Sequence, residues 1–140
     1  MEIPERIPGL KVATLLLVLY AAAWIALEGS LERVLLLAVG IAGVTLGHGL
    51  QQMGGRTFSP AGWVAFAGFL GVALAVGSTV LVLLLMALKT GLHAHGPEFS
   101  TGEIGWVLAQ FPWWTAGGVV GGLGMGLITL GVQGEGSRRE

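Results

Sequence analysis

The charges of this chain are confined to short intervals, and the stretches between them are long. Thr57–Leu88 and Ile104–Gly134 contain no Asp, Glu, Lys or Arg, and neither do Val12–Leu27 and Val34–Leu50. A bilayer core of about 30 Å needs about 20 apolar residues as helix. Each uncharged stretch is of that order, and together they take up most of the 140 residues. Only 11% of the chain is charged, against 54% apolar before the 25 glycines are added. A water-facing surface needs roughly a quarter of charged residues, so a soluble domain is excluded. The sequence predicts an all-α integral membrane bundle of four transmembrane helices in one domain, over about 10–28, 31–53, 60–89 and 112–133.

Local signals mark the ends of these spans. Gly29-Ser30 separates the first from the second, with Ser30 as an N-cap and Glu32 in the first turn, where the helix dipole favours an anion. Ser59-Pro60 combines an N-cap with proline at the first helical position. Ser100-Thr101-Gly102-Glu103 has the spacing of a capping box. Pro112 then divides the last apolar stretch. Ile104, Val107, Leu108 and Phe111 follow helical spacing, which predicts a short interfacial helix over about 102–111, a break at Pro112 and a separate fourth crossing. The first span opens with Glu2 and Glu5 rather than a basic run, so it is read as a retained helix and not a cleaved signal peptide.

Orientation follows from the basic residues near the span ends. Arg6, Lys11, Arg56, Arg138 and Arg139 fall on one side, and Arg33 and Lys89 on the other. The excess predicts both termini in the cytoplasm. Trp24, Trp106, Trp113 and Trp114 are then expected at the outer interface and Trp63 at the inner one.

Glycine is the second unusual feature. Gly118, Gly122 and Gly126 recur every fourth residue, with Gly117 and Gly121 in a row beside them, and the second span carries Gly43 and Gly47. Ala67, Gly71 and Ala75 make a similar row in the third. In lipid, small residues let helix backbones approach and gain van der Waals contact. These rows serve either to pack the four helices together or to present a face to a second copy, another subunit or a flat prosthetic group. Gly43, Gly47, Gly118, Gly122 and Gly126 are the candidate packing and partner residues.

The chemistry on offer is sparse. Cysteine is absent, which excludes disulfides, thiol catalysis and Cys-ligated metals, and aspartate and asparagine are absent as well. A net charge of −1 provides no field for nucleic acid. Nothing matches a nucleophile elbow, an HExxH helix or a phosphate-binding loop, so no enzymatic activity is expected. His48 is the ionisable residue placed within a span, flanked by Gly47 and Gly49. It reads either as part of a polar cluster with Thr45, Gln52, Thr129 and Gln133 that ties spans two and four, or as an axial ligand for chlorophyll or haem. His93, His95 and Glu98 in the loop before the last span form a weak candidate for a divalent metal.

The function expected from all this is a small polytopic membrane protein, a non-enzymatic accessory or assembly subunit of a larger complex, held in the bilayer through glycine-rich faces. A homo-oligomeric pore or carrier built on the same rows is the first alternative, and a pigment- or haem-carrying subunit through His48 the second.

Overall fold

The computed structural model describes residues 1–27, 29–92 and 97–136, with backbone alone from residue 133 onward. The described chain is all-helical, with α1 over Leu10–Ala26, α2 over Leu31–Gln52, α3 over Pro60–Leu92 and α4 over Thr101–Gly136. Three of them, α2, α3 and α4, are long and apolar enough to cross a membrane. The first, α1, is a shorter apolar helix of 17 residues, about 25 Å at helical rise. It begins at Leu10 after Gly9 (φ 77°) and ends before the expected boundary.

The predicted caps close the helices. Ser30 Oγ accepts from the amide of Arg33 at 3.4 Å, and Ser59 Oγ accepts from that of Gly62 at 3.2 Å. At the start of α4, the Glu103 amide donates to Ser100 Oγ at 3.2 Å while the Ser100 amide donates to Glu103 Oε2 at 2.7 Å. That reciprocal pair satisfies two amides the helix itself leaves open.

The expected break at Pro112 does not occur, and there is no separate interfacial helix over 102–111. Those residues are the first turns of α4, which runs on through Pro112. Proline removes one amide donor from a ladder of more than thirty residues, a loss that apolar surroundings and neighbouring contacts absorb in membrane helices. Here Val107 is anchored in the core before the proline, and Trp106 meets Trp114 edge-on at 5.8 Å across it.

The four helices meet most tightly at the end remote from the termini. Trp24 of α1, Val34, Leu37 and Ala38 of α2, Val82, Leu85 and Met86 of α3, Val107 of α4 and Phe99 of the α3–α4 connection form one buried cluster. Trp24 is therefore part of the core. At the opposite end the N-terminal arm lies against the α2–α3 connection. The Ile3 amide donates to Arg56 O at 3.0 Å, and the Gly55 amide to Ile3 O at 2.9 Å. Ile3 is buried beneath this pairing. Side chains around the outside remain exposed along the helices, among them Leu16 at 61%, Phe69 at 64% and Val120 at 72%. Such a girdle is untenable in water and ordinary against lipid tails.

Candidate functional site

Two rows of glycine on α4 face different ways. At 100° per residue, Gly118, Gly122 and Gly126 share one face, and Gly117, Gly121 and Gly124 share another more than a quarter turn away. The first row lies directly on α3. A Cβ added to Gly118 would meet Gly71 C at 2.9 Å and Ala75 Cβ at 3.1 Å, and one added to Gly122 would meet Gly68 Cα at 2.9 Å. At Gly126 the neighbours are Val64 Cα and Ala67 Cβ, both at 3.0 Å. Backbone thus rests on backbone along the α3–α4 seam, which only small residues permit. Gly117, Gly121 and Gly124 have no neighbour within 4 Å of such an atom. Trp113, Val120 and Ile128 flank that open row and are themselves strongly exposed. On α2, Gly47 receives the Leu10 side chain, with Leu10 Cδ1 2.8 Å from an added Cβ, whereas Gly43 is open.

Lys89 is the residue the sequence least prepares for. Its place near the end of α3 suggests an interfacial cation, yet it is fully buried. The ammonium donates to three backbone carbonyls at the C-terminus of α1: Trp24 at 3.1 Å, Ile25 at 2.8 Å and Leu27 at 2.7 Å. It also sits 5.1 Å from the centroid of the Trp24 ring. The last carbonyls of a helix lack internal partners and carry its negative pole, so three N–H donors there act as a cap supplied from another helix. The contact joins residues 65 apart in sequence, and helical periodicity carries no sign of it.

His48 is tied to α1 and not to α4. Its Nε2 lies 2.9 Å from Thr14 Oγ1. The Thr14 hydroxyl is also 2.8 Å from Leu10 O, to which it can donate. Thr129, expected in the same cluster, instead accepts from Trp63 Nε1 at 2.7 Å and ties α4 to α3. Of the expected cluster, His48 and Thr129 are therefore held in two separate links, α1–α2 and α3–α4. An axial bond from His48 Nε2 to a haem or chlorophyll metal would have to displace Thr14. The Gln133 side chain lies outside the described residues.

His93 and His95 also lie outside the described residues. Glu98 is described, and with Phe99 it packs over Gly29 at the α1–α2 turn. Among the described residues no three His or Glu side chains come together as a metal site.

Between α2 and α4, α3 forms the floor of a long apolar groove. Its upper part, about 370 Å³, is lined by Leu35 and Val39 of α2, Ser78 of α3, and Trp113, Trp114 and Gly117 of α4, among others. The lower part, about 570 Å³, runs past Leu46 and Met125 to Ile3 and Ile7 of the N-terminal arm. Gly71 and Leu74 line both.

No protein-family model matches the chain, and no significant similarity connects it to a curated protein or a solved structure. What the sequence and fold define is a helical, membrane-embedded protein.

Proposed function

We propose that this chain is a non-enzymatic subunit of a larger membrane complex and that it docks a transmembrane helix of a different chain on the open face of α4. The observation that carries this reading is the division of labour between the two glycine rows. One row is consumed by α3. The other, Gly117–Gly121–Gly124, is unoccupied and offers the close backbone approach that drives helix association in lipid, where no water-driven force operates between apolar surfaces. The excess of basic residues at the ends of the spans on the side of the termini supports a cytoplasmic location for both.

Native mass spectrometry of protein extracted from its own membrane in mild detergent tests the proposal. The expected species is a hetero-complex, lost in Gly121→Leu while circular dichroism reports the same helicity. A homo-oligomer with no other chain would favour the pore or carrier instead, and a monomer in both variants would overturn the docking face.

A further inference from the structure

At the end of the bundle that carries the N-terminal arm, a cavity of about 560 Å³ opens beside the start of α1, lined by Arg6, Gly9, Lys11, Val12 and Gln51 among others. Arg6 and Lys11 are exposed, and among the described residues neither forms an ion pair. The nearby carboxylates lie elsewhere. The Glu5 side chain packs against Gly54 at the α2–α3 turn, and neither Glu5 nor Glu2 lines the cavity. Gln51 Oε1 accepts from the Ile7 amide at 3.5 Å, which ties α2 to the arm and leaves the Gln51 NH2 group as a donor. Backbone donors add to the side chains. No side chain caps α1, and the amides of Lys11 and Val12 find no acceptor among the described residues. The cavity therefore combines two cations with further N–H donors, and no acid stands in its wall.

We propose that this cavity holds the phosphodiester headgroup of an anionic phospholipid, its phosphate oxygens accepting from the Arg6 guanidinium and the Lys11 ammonium. Basic residues at the ends of membrane spans attract anionic lipid, and the paired donors of arginine match the geometry of phosphate. Position selects lipid over a dissolved anion. Val12 is part of the cavity wall, and with Leu15, Leu16 and Leu19 it forms one exposed apolar face of α1 leading away from the cavity. A headgroup at Arg6 and Lys11 delivers its acyl chains onto that face, whereas a soluble phosphate gains nothing from it. The stacked rings of Phe58 and Phe66, with Trp63 beside them, stand at the same end, and aromatic groups of this kind settle at headgroup depth. Charge selects among lipids. A choline or ethanolamine headgroup brings its own cation beside Arg6 and Lys11, and a glycerol headgroup does not. The site shares no residue with the open face of α4 and stands independently of it.

The test is a titration of the full chain in neutral detergent with dioctanoyl phosphatidylglycerol, the bound lipid being counted by native mass spectrometry. Saturable retention of a single lipid is expected, about tenfold tighter than for dioctanoyl phosphatidylcholine. Arg6→Gln and Lys11→Gln should each weaken binding about fivefold. Arg56→Gln removes a charge at the same end but outside the cavity, and should leave the affinity unchanged. Circular dichroism melts report whether the variants fold, and either lining variant decides the matter if the other does not. Inorganic phosphate at equal concentration should fail to displace the lipid. Displacement by it would assign the cavity to a soluble anion and overturn the proposal. Equal affinity for the two headgroups, or equal weakening in Arg56→Gln and the lining variants, would overturn it as well, since diffuse surface charge would then suffice.

Discussion

Replacing Lys89 by Met keeps an unbranched apolar stem of similar length and removes the ammonium. Ile25 O and Leu27 O lose their described donor, while Trp24 O retains the amide of Leu27 at 3.2 Å. Each carbonyl left without its donor costs about 1–3 kcal/mol when buried and nearer the lower figure here, where both contacts are part-buried, and the lost contact with the Trp24 ring adds about 0.5–2 kcal/mol. Against this, the variant no longer has to desolvate an ammonium, which returns several kcal/mol in a fully buried site. With both carbonyl terms near the lower figure the losses come to about 2.5–4 kcal/mol. Desolvation returns part of that, so the net expectation is a loss of about 1–2 kcal/mol, with α1 loosened first because the three carbonyls are its C-terminus. Reversible unfolding in mixed micelles with increasing dodecyl sulfate, followed by circular dichroism and tryptophan emission, measures it. A loss below about 0.5 kcal/mol, the scale of ordinary surface substitutions, would refute the reasoning that Lys89 caps α1.

Other consequences can be checked on the same preparation. Gly118→Ala places a methyl group against the Gly71 backbone and should destabilise by about 1–3 kcal/mol, whereas Gly121→Ala, with open space around it, should leave stability unchanged or raise it by up to about 1 kcal/mol. The comparison is made by unfolding the two variants in parallel. Ser100→Ala should cost about 1 kcal/mol by uncapping α4, visible as faster amide hydrogen exchange in residues 101–104. Because α4 is continuous through Pro112, Pro112→Ala should preserve the fold and slow exchange in the turn before it, as judged by the same method. Protein purified in mild detergent should show no visible absorbance from a haem or chlorophyll, since His48 Nε2 is engaged by Thr14.

How much of this was legible beforehand depends on whether the signal was local. The four apolar stretches, the caps at Ser30, Ser59 and Ser100, and the small-residue spacing of α4 are properties of neighbouring residues, and charge spacing and cap chemistry report them directly. The continuity of α4 was misread because proline is a strong breaker in water, where an alternative partner for the backbone is always at hand; in an apolar surround the helix remains the only way to satisfy it. The Lys89 cap, the Thr14–His48 link and the N-terminal arm on residues 55–58 join positions 34 or more residues apart. No periodicity encodes such pairs. The two glycine rows were visible as rows, but which one α3 would cover depends on the rotation of α4 about its axis. That rotation is set by Val64, Ala67, Gly68 and Gly71 on the facing helix, and only the fold displays it.

The central claim is that α4 has one face closed by α3 and another open to a partner helix. It is tested most directly by a photo-crosslinking side chain at Val120, which is 72% exposed beside the open row, compared with the same probe at Leu16 of α1, 61% exposed. Irradiation in native membranes should give a single defined protein adduct from position 120 and lipid adducts alone from position 16. Lipid adducts alone from both positions would contradict the account.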